Sequence, residues 1–191
     1  ESTCYGKEAA PLIGYVNFPK ILELAMHDGF DPRTGVQIGP KTGKAEDLKD
    51  FGALMEAYKI QAKYVFDTKL EGTQYLKRMF GKYAPQPFLS MLIEGCVESG
   101  KDYNNGGPLY NVSLFPGVGI GTITDSLSAI KKHVYEDKDV TMHDLMTALD
   151  ADFEGYEDLR KMLVDNTPHY GNNDDFADDL MKEVTDYFFD Y

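Results

Sequence analysis

The sequence predicts a mostly α-helical protein with few short strands. Apolar residues recur at three- and four-residue steps through several long stretches, as on the buried face of a helix. Clusters of glycine and proline separate these stretches, and polar residues that can cap a helix precede several of them. Extended segments are expected only near residues 109–114 and just ahead of Asn17.

The first predicted helix follows Asn17, which can cap it, and Pro19 suits its first turn. Gly29 is expected to end this helix. The apolar face holds Ile21, Leu22, Leu24 and Ala25.

A loop is predicted next, at residues 31–44, because this segment contains two prolines and three glycines. We interpret Gly35, Gly39 and Gly43 as turn positions with positive φ rather than as a phosphate cradle.

A long amphipathic helix is predicted from Ala45 onward. Gly72 is expected to interrupt it before the pattern resumes at Tyr75, and Pro85 ends it. One apolar stripe comprises Leu48, Phe51, Met55, Tyr58, Ala62 and Val65.

Residues 87–132 alternate between helix and tight backbone. An apolar helical run at residues 88–93 leads into a polar, glycine-rich loop at residues 104–108. A glycine cluster at Gly117, Gly119 and Gly121 then precedes a new helix. We expect this alternation to line a buried centre.

Helices are also predicted throughout the last third of the chain. The first covers residues 125–134, and a second begins after Thr141 with Asp144 in a capping-box position. Two more are expected at residues 156–163 and 174–189. The inward face of the first is expected to hold Leu127, Ile130 and Val134.

The length and composition of the chain limit the number of domains and the kinds of partner that it can have. A chain of 191 residues with 42% hydrophobic content can form one substantial domain or two small ones. The net charge of −13 arises in residues 136–191, which carry 17 acidic and 4 basic side chains. Such a polyanionic surface repels nucleic acid. No apolar run reaches the roughly 20 residues that cross a bilayer, so no membrane partner is expected.

Several motifs resemble ligand sites without matching them. The glycine cluster reads GxGxG without a surrounding βαβ unit, so we interpret it as close backbone packing rather than nucleotide binding. Asp150, Asp152 and Glu154 resemble the start of an EF-hand, but Lys161 occupies the position of its bidentate Glu. The four histidines are interpreted as packing or surface residues and no metal site is predicted: His27, His133, His143 and His169.

The two cysteines, Cys4 and Cys96, lack the spacing of a metal site or of a CxxC pair. No disulfide framework is therefore expected, and a reducing cytoplasm is the default location. Cys96 is placed in the last turn of an apolar helix, where the helix dipole opposes a thiolate. We interpret it as a buried structural cysteine, with a nucleophilic or radical role as the alternative.

Longer motifs carry a family resemblance. They are PFLS, GKDYNNGGPLYN and GVGIGTITDSLSAIKK within residues 87–132, then FEGYEDLRKML and PHYGNND. NFPKILELAMHDGFDPRTGVQIGPKTG and LMEAYKIQAKYVF precede them. In this order, and across nearly the whole chain, the sequence resembles the glycyl radical enzymes of the pyruvate formate-lyase-like family.

The resemblance implies a parent fold of a ten-stranded α/β barrel wrapped by helices. In that fold one loop carries a catalytic cysteine and another carries the glycine that stores the radical. The family's cysteine loop reads Gly-Cys-Val-Glu, and Cys96 lies in that tetrapeptide. However, its flanking segments correspond to a later helix of the family, where the cysteine is not catalytic.

The resemblance assigns the proton-transfer role instead to Glu1, because ESTCYGK stands directly before the NFPKILEL helix. It places the catalytic cysteine two residues upstream and the glycyl loop downstream. Residues 1–191 are thus expected to form an internal, by itself inactive, segment of a pyruvate formate-lyase-like domain.

The resemblance also implies partners. No cofactor is bound by this segment; the glycyl radical is installed by an S-adenosylmethionine iron–sulfur activating enzyme, and the parent is a homodimer acting on a small molecule. Pro11, Leu12 and Ile13 stand where glycerol and choline enzymes carry a Trp and an acidic residue, which favours an arylacetate-type decarboxylase. The alternatives are a dehydratase or another C–X lyase, and, in another class, a non-catalytic helical binding module.

Overall fold

The structure is a computed structural model that describes residues 6–9 and 14–191. The chain divides into two compact units. The first comprises the described residues up to Val16 together with Phe66–Gly117, and the second comprises Asn17–Val65 and Val118–Tyr191.

The described residues are mostly helical, as predicted. The α-helices are α1 (Phe18–Met26), α2 (Phe51–Tyr83), α3 (Pro87–Leu92), α4 (Cys96–Ser99), α5 (Ile120–Ala129), α6 (Met142–Asp150), α7 (Glu157–Asn166) and α8 (Asp175–Phe189). Short 3₁₀ turns lie at Ala45–Asp47 and Tyr103–Asn105, and a π-helix lies at Ile130–Glu136. None of the helices in the described ranges is both long and apolar enough to span a membrane.

The strands are two residues long: β1 (Glu8–Ala9), β2 (Val16–Asn17), β3 (Phe30–Asp31), β4 (Val36–Gln37), β5 (Tyr110–Asn111) and β6 (Gly117–Val118). In the first unit, β1 runs parallel to β5, with Glu8 opposite Tyr110. In the second, β3 and β4 form an antiparallel pair with Phe30 opposite Gln37. Strand β2 also pairs with β6. β2 and β5 match the two extended segments that the sequence predicts.

Helix α1 has the predicted caps. The Asn17 side chain accepts a hydrogen bond from the Lys20 N–H at 3.2 Å. At the other end, Gly29 adopts φ +76° and its N–H donates to the Leu24 carbonyl at 2.7 Å. This left-handed glycine satisfies a free helical carbonyl and ends the helix.

Helix α2 differs from its prediction at two points. It begins at Phe51 rather than at Ala45, and the Asp50 side chain caps it by accepting from the Ala53 N–H at 2.8 Å. It also continues through Gly72, so the predicted interruption is wrong. A glycine costs a helix only about 1 kcal/mol, because it keeps the backbone N–H that proline lacks.

The helix predicted at residues 125–134 changes type midway. It starts at Ile120 as α5, and from Ile130 it continues as the π-helix. The wider π turn rotates the following side chains, so that His133, 1% exposed, is buried while Val134 is only half-buried. Leu127 and Ile130 face inward as predicted.

The core of the second unit forms where α5 packs against α1 and α8. Ile123 and Leu127 are fully buried there, and Phe18 packs edge-on against Phe188 with ring centroids 5.3 Å apart. Thr141 caps α6 as predicted, because its Oγ1 accepts from the Asp144 N–H at 3.0 Å. Helices α1, α5 and α8 are therefore held together by the core of the second unit.

Candidate functional site

The predicted proton-transfer residue, Glu1, lies outside the described residues. The same holds for Cys4 and for Pro11, Leu12 and Ile13, on which the substrate prediction depends. The catalytic assignment of Glu1 therefore stays a prediction.

Cys96, in the first unit, is buried as predicted, with 3% of its surface exposed. It begins α4 instead of ending an apolar helix, because the chain leaves helical geometry between α3 and α4. Burial raises the pKa of its thiol, and the negative charges of Asp102 and Glu98 raise it further. A thiol of this kind is mostly protonated at neutral pH, which is unfavourable for a nucleophile.

Gly107 in the GKDYNNGG segment packs directly on this thiol. A Cβ at Gly107 would lie 2.8 Å from Cys96 Sγ and 2.3 Å from the Lys101 carbonyl oxygen. Only glycine fits at this approach of backbone to side chain.

Asp102 organises the same segment. Its Oδ2 accepts hydrogen bonds from the Gln86 N–H at 2.7 Å and from Ser90 Oγ at 2.9 Å. Its Oδ1 accepts from the Asn104 N–H at 2.9 Å. Burial by itself would raise the pKa of Asp102, but these hydrogen bonds outweigh burial and lower it. Asp102 is thus ionised, and its hydrogen bonds hold the GKDYNNGG segment in place.

A cavity of about 620 Å³ lies beside this segment in the first unit. Lys77 and Arg78 of α2 line it together with Asn104, Asn105 and Asn111. Two cations and several amides favour an anionic or hydroxylated group in such a space.

The second unit holds a larger cavity of about 790 Å³ between α1, α5 and α6. Its wall is mainly apolar, with Leu22, Ile130 and Leu145 among the lining residues, and Lys20 and Arg33 also contribute to it.

The buried carboxylate of Asp31 forms an ion pair with the partly exposed Lys20 next to this cavity. Lys20 Nζ donates to Asp31 Oδ1 at 2.5 Å and also to Glu23. The Thr34 hydroxyl donates to Asp31 Oδ2 at 2.7 Å. The bonds from Lys20 and Thr34 lower the pKa of Asp31 to about 2, against the opposing effect of burial. Asp31 is thus fully ionised at neutral pH.

The glycines predicted as turn positions have two distinct roles. Gly35 and Gly43 have positive φ as expected, at +70° and +91°. Gly39 does not; there a Cβ would lie 1.8 Å from Gln61 Oε1, so glycine is needed for close approach to α2. Gly119 combines both roles, with φ +83° and a Cβ position 2.6 Å from Pro19, which fits the predicted close packing.

The acidic residues that resemble an EF-hand lie at the end of α6 and in the turn that follows it. Asp152 adopts φ +50° and the following Phe153 adopts φ +59°. Among the described residues, Asp150, Asp152 and Glu154 do not gather into a group of metal-ligand atoms. The interpretation as a turn is consistent with this geometry.

The four histidines are packing or surface residues, but one of them has neighbours that the sequence interpretation missed. His133, Asp137 and Asp139 bring ligand atoms within 4.8 Å of one another. The sequence could have indicated part of this cluster, because Asp137 follows His133 by four residues and residues at that spacing are neighbours on a helix. The π turn, which buries His133, was not predictable from this spacing.

The comparisons with known proteins extend over the whole chain. The family model described as "Pyruvate formate lyase-like" matches residues 1–191. Trans-4-hydroxy-L-proline dehydratase of Clostridioides difficile is 47% identical over 184 residues, covering 96% of this chain and 23% of the dehydratase. The 4-hydroxyphenylacetate decarboxylase glycyl radical subunit of Clostridium scatologenes is 28% identical and covers 95% of this chain.

Two solved dehydratase structures also match nearly the whole chain. Hydroxyproline dehydratase of Clostridioides difficile, with trans-4-hydroxy-L-proline bound, matches 98% of this chain with a TM-score of 0.93 and 45% identity. The glycerol-bound B12-independent glycerol dehydratase of Clostridium butyricum matches 96% with a TM-score of 0.88 and 35% identity. The chain spans about a quarter of the length of these proteins, at 24% and 23%.

Proposed function

Because the chain belongs to the pyruvate formate lyase-like family of glycyl radical enzymes, we propose that its parent protein is a glycyl radical dehydratase. Its substrate in this proposal is a small hydroxylated molecule, with trans-4-hydroxy-L-proline as the first candidate. The observation that carries the proposal is the 47% identity to trans-4-hydroxy-L-proline dehydratase over 96% of the chain.

A dehydratase is favoured over the arylacetate-type decarboxylase that the sequence favoured. The decarboxylase relative is 28% identical, whereas the dehydratase relative is 47% identical over a similar share of the chain. The preference for a decarboxylase depended on Pro11, Leu12 and Ile13, which lie outside the described residues. The non-catalytic module is disfavoured by membership in a family whose relatives here are enzymes.

In the proposed reaction, the parent's glycyl radical takes a hydrogen atom from the catalytic cysteine, and the resulting thiyl radical takes one from the substrate. The hydroxyl group leaves as water, with Glu1 taking part in the accompanying proton transfer. The product radical then regains a hydrogen atom from the cysteine, which restores the glycyl radical. Residues 6–191 contribute positioning and exclusion of water, which is the protein's main task in radical chemistry. Asp102 and Gly107 serve this task by fixing the segment around Cys96.

The proposal includes the parent's partners. A separate S-adenosylmethionine iron–sulfur enzyme installs the radical, and the parent acts as a homodimer in the cytoplasm. No cofactor is assigned to the segment itself.

The test uses the intact parent, activated anaerobically with its activating enzyme, S-adenosylmethionine and a reductant. We expect a glycyl radical signal by electron paramagnetic resonance, followed by dehydration of trans-4-hydroxy-L-proline measured by mass spectrometry. Glycerol, propane-1,2-diol and 4-hydroxyphenylacetate are the competing substrates. Turnover of 4-hydroxyphenylacetate alone would overturn the dehydratase, and an activated protein without a radical would overturn the family chemistry.

Two variants separate catalytic from structural residues. Glu1→Gln should retain the radical signal but lose about 10²-fold to 10⁴-fold in turnover, the usual contribution of a general acid or base. Cys96→Ser is the matched control and should retain both radical and turnover. Loss of turnover in Cys96→Ser with an intact fold would show that the catalytic role was assigned to the wrong cysteine loop.

A further inference from the structure

The cavity of about 620 Å³ in the first unit brings two cations and several side-chain amides to one concave surface. Lys77 and Arg78 line it together with Asn104 and Asn105. None of the lining residues that the structure describes carries a carboxylate, although the chain has 32 acidic and only 19 basic side chains. The cavity is therefore a local excess of positive charge in an acidic chain.

The cationic wall of the cavity is one face of α2. Lys77 and Arg78 follow Gln74 by three and four residues, so the three side chains lie on the same side of the helix. Gly81 continues this face without a side chain, and a Cβ there would lie 3.2 Å from the Asn104 carbonyl oxygen. Glycine thus lets the loop that carries the amides pack onto the helix beside the cations.

The loop that packs on this helix is held by its own hydrogen bonds. The Asp102 side chain accepts from the Gln86 N–H at 2.7 Å and from the Asn104 N–H at 2.9 Å. Asn104 Nδ2 donates to the Ala84 carbonyl, just beyond the end of α2, at 2.9 Å. Both walls are thus in place before a ligand arrives, which lowers the entropy cost of binding.

The polar groups of the cavity have hydrogen-bonding capacity that the described residues do not use. Lys77 Nζ lies 3.5 Å from the Val112 carbonyl oxygen, which is longer than an ordinary hydrogen bond. Within the parts of the chain that the structure describes, the side chains of Arg78 and Asn105 form no hydrogen bond or ion pair. The positive charge of the cavity is therefore not neutralised by the described residues.

We propose that this cavity binds a phosphate monoester of a small polyhydroxylated molecule, such as a sugar phosphate. A phosphate monoester carries a charge of about −1.5 to −2 at neutral pH, which matches the two cations. The Arg78 guanidinium can donate two parallel hydrogen bonds to it, and Lys77 adds a point charge. A carboxylate, with a single charge, would leave one of the two cations without a counter-charge.

The remainder of the cavity suits the hydroxyl groups of such a ligand. Asn104, Asn105 and Asn111 line it, and a side-chain amide can both donate to and accept from a hydroxyl group. Its volume lies within the range of small-molecule sites, roughly 300–1,000 Å³, and is larger than a bare phosphate ion would fill. The geometry therefore favours an organic phosphate over the inorganic ion.

The experiment titrates D-ribose 5-phosphate into the intact parent by calorimetry, without radical activation. The proposal does not depend on the radical reaction, so a parent without dehydratase activity should still bind this probe. We expect one site per chain. Inorganic phosphate should bind more weakly, because it leaves the amides unengaged, and D-ribose should not bind, because it lacks the charge.

Four variants test the assignment of the lining residues. Arg78→Gln should weaken binding of D-ribose 5-phosphate by about tenfold or more, the usual effect of losing a charge-assisted hydrogen bond, and Lys77→Gln should weaken it less. Asn105→Ala should weaken binding of D-ribose 5-phosphate but not of inorganic phosphate. Lys101→Gln removes the same charge from an exposed position of the same unit that does not line the cavity. It is the matched control and should leave binding unchanged.

Three results would overturn the proposal, with circular dichroism confirming that each variant is folded. The first is a wild-type parent that does not bind D-ribose 5-phosphate. The second is inorganic phosphate that binds as tightly as the sugar phosphate. The third is an equal loss of affinity in Arg78→Gln and Lys101→Gln, which would mean that only the overall charge of the unit attracts the anion.

Discussion

Asp31 is a buried carboxylate that the structure keeps charged. Its two oxygens receive the Lys20 ammonium, the Thr34 hydroxyl and the Arg33 N–H. Because these donors stabilise only the ionised form, the pKa of Asp31 falls to about 2 from its ordinary value of 3.8. The free energy of unfolding consequently depends on the charge of this residue.

We expect Asp31 to make the chain sensitive to acid. A lowered folded pKa contributes stability that is complete above the unfolded value of 3.8 and is lost as the pH falls toward about 2. Urea unfolding between pH 7 and pH 2 should show this loss.

The comparison for this prediction is Asp31→Asn, which should be less stable at pH 7 and show a shallower decline with acid. Lys20→Met should also reduce the acid dependence, because it removes the main donor. An Asp31→Asn chain with the same pH dependence as the wild type would contradict the assignment.

Helix α2 packs against one glycine outside it and contains three glycines of its own, among them Gly72. Gln61 is fully buried, and its Oε1 lies against Gly39, where a Cβ would be only 1.8 Å away. Gly72 lies in the helix interior with open space around its Cβ position. Glycine is therefore required at Gly39 to avoid a clash with Gln61, whereas the space at Gly72 would accommodate a larger residue.

Substituting these glycines by alanine should have opposite effects. Gly39→Ala should destabilise the chain by about 1–3 kcal/mol, because the added methyl overpacks a buried contact. Gly72→Ala should stabilise it by about 1 kcal/mol through helix propensity. The free energy of unfolding in urea measures both, and equal effects of the two substitutions would contradict this account of Gly39.

In the π-helix, the residue that is buried differs from the one that the sequence pattern predicts. The apolar spacing predicted that Val134 would face inward, but the π turn buries His133 instead. The pattern identified the helix and its first inward residues, and the change of helix type altered which later side chain is buried.

At the scale of the whole molecule, the two units differ in how much apolar surface they bury. The core residues lie mostly in the second unit, while α3 of the first unit has no buried residue. Phe88, Met91 and Leu92 are 72%, 65% and 64% exposed. Exposed apolar faces of this kind are typical of surfaces that another protein surface covers.

We expect the 191-residue chain to self-associate through this exposed face as its concentration rises. Replacing Phe88, Met91 and Leu92 with serine should reduce association in analytical ultracentrifugation while leaving the helical signal unchanged. Val164→Ser, at a 49% exposed position of the second unit, is the matched control. A wild-type chain that stays monomeric at all concentrations would contradict the prediction.

The sequence by itself determined the helical class, the caps at Asn17 and Thr141, the burial of Cys96 and the family. These features depend on local chemistry and on long motifs in a fixed order, both of which can be recognised from residues that are neighbours along the chain. Only the tertiary structure decided the close approach of Gly39 to Gln61, the buried pairing of Asp31 with Lys20, and the cluster at His133. Each of these depends on which distant side chains meet, or on a helix turn that local spacing does not specify, so the contacts follow from packing.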